Sequence, residues 1–329
     1  DGRLGPLISQ LAHRIGAAVY EPFSIRNLMA ADDPVFQGYR PPPPEHDVLI
    51  VIDSQTPWIE ATSAPAPDAR VIHLAPDPHF ARLPVRGFRC DLAVSTDPVL
   101  AVRALLEQLD THPMAEPRVA ALRTAHSVSQ TTQVAPATGT PMSAEWLSAC
   151  VGDIMDEDTI AFSELGLLPE YLNLKGQNRH FNNAHSGGLG WALPAALGAQ
   201  LARPGKLTIA CVGDGSYMFA NPVACHQVAE ALNLPILTII KNNGIWNAVR
   251  RSVVNSYPDG AAARMNTMPL TDLSPQPDFA AIARASRGHA ERVEDATALP
   301  DALKRAVNMI RTEARPVLLD CRVAVSDSH

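Results

Sequence analysis

No apolar run in this chain approaches the ~20 residues that a membrane-spanning helix needs. The first residues, DGRLGPLISQ, lack the pattern of a secretory signal. A basic excess is missing too: lysine and arginine total 27 against 34 aspartates and glutamates, a formal net charge of −7. That balance argues against nucleic acid or a membrane surface as a partner. Cysteine is sparse. Cys90, Cys150, Cys211, Cys225 and Cys321 lie far apart, with no pair at metal-ligand spacing. They read as reduced, buried thiols of a cytoplasmic protein rather than a disulfide framework or a zinc site. No repeat of solenoid period occurs, and residues 1–110 contain no G-x-G-x-x-G to support a dinucleotide.

What remains is an ordinary globular composition, 46% hydrophobic and 19% charged over 329 residues, enough for two domains with full cores. Two blocks alternate strand and helix patterns, so the expected fold class is α/β, with two open, mainly parallel sheets flanked by helices. In the first block, residues 1–110, LGPLISQLAHRIG has helical apolar spacing and stops on a glycine. HDVLIVID reads as a buried parallel strand, ARVIHLAPD and DLAVSTD as further strands, and DPVLAVRALLEQL as a capped helix. Residues 111–140 are rich in proline, serine, threonine and alanine without sustained periodicity, and read as a surface linker. In the second block, 141–329, the strands are DTIAFSE, LTIACVGDG, ILTIIKNN, HAERV and PVLLDCRV.

Within that block lies GDGSYMFANPVACHQVAEALNLPILTIIKNN, a strand end, a helix and a second strand. A right-handed crossover makes the two strands parallel, so Asp214 and Asn243 emerge at one edge of the sheet. In open α/β sheets that edge is where ligands bind. A carboxylate and an amide oxygen on neighbouring loops make a sparse hard-oxygen site, suited to Mg²⁺ completed by phosphate oxygens and water. Gly213, Gly215 and Gly244 allow close backbone approach to a diphosphate, and Ser216 can donate to it. Either tripeptide alone is a common turn. The pairing of both at opposite ends of one unit, with 26 residues between Gly215 and Asn242, carries the reading.

This stretch resembles the signature of thiamine diphosphate-dependent enzymes of the acetolactate synthase / benzoylformate decarboxylase superfamily. The flanks GGLGWALPAALGAQLARP and NNGIWNAVR are similar to the family segments on either side. By that resemblance residues 141–329 are a diphosphate-binding domain and 1–110 most of a central Rossmann-like domain. Asp214 and Asn243, with the carbonyl of Ile245, would hold Mg²⁺. Gly187, Gly188, Gly213, Gly215, Ser216 and Tyr217 would meet the cofactor. Leu189, 25 residues before Asp214, would be the apolar wedge that bends the cofactor beneath its thiazolium, although a leucine there is also plain core. Trp246, Ala248 and Val249 would face substrate, and His185 would line the active site. Arg250 and Arg251 would pair with an acidic substrate or lie in a solvated turn. Glu164 would contact the cofactor or cap a helix, and His226 would be structural.

The resemblance also implies what to look for elsewhere. The family's pyrimidine-binding domain, with the glutamate that activates the cofactor, has no counterpart here, and the central domain is expected to lack its first strand. The expected partner is a second polypeptide supplying both, in dimers or tetramers of such units. Substrates would be 2-oxo acids, acyloins or 2-hydroxyacyl thioesters. Flavin (FAD) is possible by family but unsupported by any motif, and a catalytically silent binding or regulatory subunit is the rival from another class.

Overall fold

The computed structural model describes residues 2–82, 87–132, 139–183 and 187–326. The chain divides into two units, Asp1–Gln133 with Lys175–Asn178, and Val134–Leu174 with Arg179–His329. Among the described residues no helix is long and apolar enough to cross a membrane.

The first unit holds α1 (Leu4–Ile15), β1 (Val48–Ile52), α2 (Glu60–Ser63), β2 (Arg70–Ala75), β3 (Leu92–Ser95), α3 (Pro98–Gln108) and α4 (Glu116–Thr132). Its sheet runs β1-β2-β3, all parallel. Asp97 starts α3 by accepting the N–H groups of Val99 and Leu100, and Pro98 sits at the first helical position, where no N–H is needed. Leu4 and Leu11 of α1 pack on Val99 and Val102 of α3. The strand HDVLIVID is less buried than its apolar run suggests: Val48 is 47% exposed, and Leu92 of β3 is 44% exposed. Both strands are edges of a three-stranded sheet, and only the central β2 is enclosed on both sides.

The segment expected as a linker contains α4, a 17-residue helix. Pro117 stands at its second position and costs nothing there. Only a narrow stripe is apolar. Val119 is buried, and Leu122 packs against the cluster of Ala12, Met29, Val35 and Phe36. The His126 ring nitrogen bonds the Phe36 carbonyl at 2.8 Å. Tertiary contacts within this unit thus hold a helix whose weak periodicity hides it.

The second unit contains α5 (Ala144–Ile154), β4 (Thr159–Glu164), β5 (His180–Asn182), α6 (Ala192–Ala202), β6 (Leu207–Gly213), α7 (Asp214–Phe219), α8 (Pro222–Ala231), β7 (Leu237–Asn242), α9 (Asn247–Ser256), α10 (Phe279–Ala285), β8 (His289–Val293), α11 (Leu299–Glu313) and β9 (Val317–Arg322). Its sheet is parallel throughout, in the order β5-β4-β6-β7-β9-β8. The central strands β6, β7 and β9 are buried almost end to end, as their unbroken apolar runs require. Leu193, Ala196 and Leu197 of α6 pack with Ala210 and Val212 of β6 and Phe279 of α10 in one core. All five cysteines are free, four of them buried, and burial pushes the Cys211 thiol up to about 12.

Candidate functional site

Strands β6 and β7 pair in parallel with Gly213 opposite Lys241, so the turns that follow them open at the same carboxyl edge. A cavity lies there, lined by Leu189, Gly213, Asp214, Gly215, Ser216, Asn243, Ile245, Trp246, Ala248 and Val249. Asp214, Asn243 and Ile245, expected at a metal, therefore share one space with Gly213, Gly215 and Ser216, expected at a diphosphate, and with Trp246, Ala248 and Val249 of the substrate side. His185 lies outside the described residues.

Asp214 is buried at the start of α7, and both its oxygens are used. Oδ1 accepts the Gly215 N–H at 2.8 Å and Oδ2 the Gly244 N–H at 2.7 Å. Burial raises its pKa, against the pull of these N–H groups, that of Asn243 and the Arg322 charge. A carboxylate in this state is short of positive charge, which a divalent cation supplies. Asn243 is fixed by accepting the Ile245 N–H on its Oδ1 at 3.0 Å. Ser216 adds an independent mark: its hydroxyl is buried and has no hydrogen-bond partner among the described residues. A buried hydroxyl left unpaired costs free energy that a ligand oxygen in the cavity removes. The residues present fit a cation with a phosphorylated ligand.

Several expected roles change in detail. Asn242, the neighbour of Asn243 to which the sequence assigned no role, turns away from the cavity. It is buried, donates to Asp320 Oδ1 at 2.8 Å, and accepts on Oδ1 from Gln276 at 2.9 Å and Arg322 at 3.1 Å. The Tyr217 side chain also lies in the core, its hydroxyl 2.7 Å from His226 Nε2, so only its backbone is left to meet a ligand. His226 is structural, as expected. Gly187 and Gly188 do not line the cavity. Gly215 is a glycine because of Trp246: a Cβ there would come 2.1 Å from the indole. Gly244 has φ of +79°, which a side chain rarely adopts, and it lies against Arg322.

Leu189 is not core. It is 40% exposed and stands at the cavity. Its turn is held by Glu164, whose carboxylate accepts the Gly190 N–H at 2.7 Å and the Ala192 N–H at 2.9 Å. Glu164 is thus a buried cap for α6, the helix-capping one of its two expected readings. Arg250 donates to Asn247 Oδ1 at 3.0 Å, and neither it nor Arg251 lines the cavity. Gln276, Arg322 and Lys241 were not anticipated. The two basic residues carry a sequence signal, a charge closing an apolar strand, whereas Gln276 sits in a loop and has none. Lys241 lines the cavity; burial pulls its pKa down, while the nearby Cys211, Asp214 and Glu145 oppose that shift.

Residues 166–321 match the family described as thiamine pyrophosphate enzyme, C-terminal TPP binding domain. Benzoylformate decarboxylase of Pseudomonas aeruginosa is 28% identical over 285 residues, covering 84% of this chain and 48% of that protein. The acetolactate synthase large subunit of Porphyra purpurea is 31% identical over 156 residues, 47% of this chain and 24% of that one. The fold is shared with the thiamine diphosphate-dependent 4-hydroxybenzoylformate decarboxylase of Rhodococcus jostii RHA1, at a TM-score of 0.77 and 22% identity over 99% of this chain and 60% of that one. The chain spans about half or less of the curated relatives it matches.

The α/β fold is one shared with thiamine diphosphate-dependent enzymes, and the cavity lies within the unit that carries the matched segment. The chain is similar to thiamine diphosphate-dependent enzymes, benzoylformate decarboxylases and acetolactate synthases among them, and residues 166–321 match their C-terminal TPP binding domain.

Proposed function

We propose that this chain is the diphosphate-binding part of a thiamine diphosphate- and Mg²⁺-dependent enzyme that cleaves or forms a carbon–carbon bond next to a carbonyl. The observation that carries this is the convergence of Asp214, Asn243, Ile245 and the unpaired Ser216 hydroxyl on one cavity inside the matched domain. When bound, thiamine diphosphate supplies the electron sink for such a reaction. The chain's own residues bind and orient. Asp214, Asn243 and the Ile245 carbonyl hold the cation, and Ser216 donates to a diphosphate oxygen. Leu189 presses an apolar surface against the cofactor, held in place by Glu164 through Gly190. Trp246, Ala248 and Val249 shape the substrate side.

Decarboxylation of a 2-oxo acid is the favoured chemistry, because the benzoylformate decarboxylase likeness runs over 84% of the chain. An acetolactate-type carboligation is the second reading. It is favoured by 29% identity over 78% of the chain to the acetolactate synthase large subunit of Parasynechococcus marenigrum. We further propose that a second polypeptide supplies a pyrimidine-binding domain and the activating glutamate, in a dimer or tetramer, and that the protein is cytoplasmic. No motif or cavity feature supports flavin. The test is to incubate the chain with thiamine diphosphate, Mg²⁺ and benzoylformate or pyruvate, with and without a polypeptide carrying a pyrimidine-binding domain. Aldehyde and carbon dioxide formed only in the mixture support the reading, and acetolactate from pyruvate supports the second. Turnover by the chain alone contradicts the need for a partner.

A further inference from the structure

We propose that Lys241 is an anion-binding residue of this cavity, its ammonium acting beside the metal as a second cation for the cofactor's diphosphate. The inference rests on the reading under Proposed function and deepens it. Lys241 stands near the carboxyl end of β7, a strand of otherwise uncharged residues, and lines the same cavity as Asp214, Ser216 and Asn243. Its register partners are Gly213 on β6 and Cys321 on β9. Neighbours in parallel register share a face of the sheet, so the lysine rises beside a position without a side chain, directly below the Gly213–Asp214 turn. Asn242, next along β7, faces the opposite way into its network with Asp320, Gln276 and Arg322.

Among the described residues the ammonium has no hydrogen bond and no ion pair at contact distance, and the Asp214 and Glu145 carboxylates act on it only through space. A cation in a half-buried wall that no acceptor touches is less favourable than one in water, even with carboxylates nearby, and a lysine stem is flexible enough to carry its charge out to water. Here the stem stays in the cavity wall. The arrangement is explained by an anion that arrives with the ligand. A divalent cation bound by Asp214 is partly neutralised by that carboxylate before it meets a diphosphate, so the assembled site remains anionic. One further positive charge below the turn offsets the remainder, and the unpaired Ser216 hydroxyl marks where the oxygens come. A substrate carboxylate is the other anion able to enter the cavity. Its place by the proposed roles is the Trp246–Val249 side, whereas Lys241 sits two residues from Asn243, at the metal end.

The test is titration calorimetry of the full chain with inorganic pyrophosphate and with thiamine diphosphate, each with Mg²⁺, on wild type, Lys241→Met and Lys241→Arg. The methionine variant keeps the volume and removes the charge, so its unliganded melting temperature should equal or exceed that of wild type. Both ligands should bind it roughly tenfold or more weakly, while the arginine variant should stay within a few-fold of wild type. Equal binding by Lys241→Met and wild type overturns the lysine proposal and leaves the cofactor reading standing. Equal weakening of both variants also overturns it. An unchanged diphosphate affinity with a raised KM for a 2-oxo acid reassigns the lysine to substrate. A wild-type chain that binds neither ligand overturns both readings.

Discussion

The Asp214 carboxylate accepts the Gly244 N–H at 2.7 Å, so one side chain ties the turn after β6 to the turn after β7. The same residue therefore builds the site and offers it a charge. Asp214→Ala should abolish Mg²⁺-dependent cofactor binding, by more than the ~10–100-fold that losing an outer-shell partner typically costs. The strands beneath are held by their own ladders, so far-UV circular dichroism should be unchanged. Wild-type affinity in calorimetry would remove Asp214 from the metal site.

Leu189 stands 40% exposed at the cavity. Leu189→Ala should therefore destabilise the protein by less than the ~2–5 kcal/mol of a core leucine truncation. Its effect should fall on turnover more than on cofactor affinity, because the cation and diphosphate contacts remain. Denaturant midpoints measured beside kinetics separate the two. A large loss of stability with normal turnover would return Leu189 to the core.

Glu164 satisfies two backbone N–H groups at the start of α6 with one buried carboxylate. Glu164→Ala orphans both and should cost about 1–3 kcal/mol in urea unfolding, besides freeing the Leu189 turn. Glu164→Gln keeps one acceptor and should cost less. Equal stability of all three proteins would contradict the capping role.

Buried titrating groups predict how stability varies with pH. Burial holds His180 and His226 down to about 4, against an ordinary value of 6.5. Below 6.5 the unfolded chain binds protons that the native state refuses, so their contribution is full above 6.5 and is lost as pH falls toward 4. Glu21 runs the other way. Burial raises it to about 7 from 4.5, so the native state keeps a proton that the unfolded chain has released. Its contribution is full below 4.5 and is lost as pH rises through 7. Glu21→Gln should remove that loss and make the melting temperature fall more steeply on acidification across this window. An unchanged profile would mean Glu21 titrates normally.

The parallel strands and the crossover were legible because a buried parallel strand leaves an unbroken apolar run, and LTIACV, ILTII and PVLL each do so. The pairing of Asp214 with Asn243 was legible for the same reason, since topology alone brings both turns to one edge. What stayed hidden depends on neighbours distant in sequence. The α4 helix owes its place to Phe36 and Ala12 rather than to its own pattern. Gly215 is dictated by an indole 31 positions later, and Tyr217 is drawn into the core by His226. The three-residue strand β5 is too short to show a period at all.

The most direct test of the account is titration of the wild-type chain with thiamine diphosphate, first with Mg²⁺ and then with a chelator in its place. The account predicts saturable one-site binding that disappears with the chelator and returns when Mg²⁺ is restored. Binding of equal strength without a divalent cation, or no binding with it, would contradict a cation held between Asp214 and Asn243.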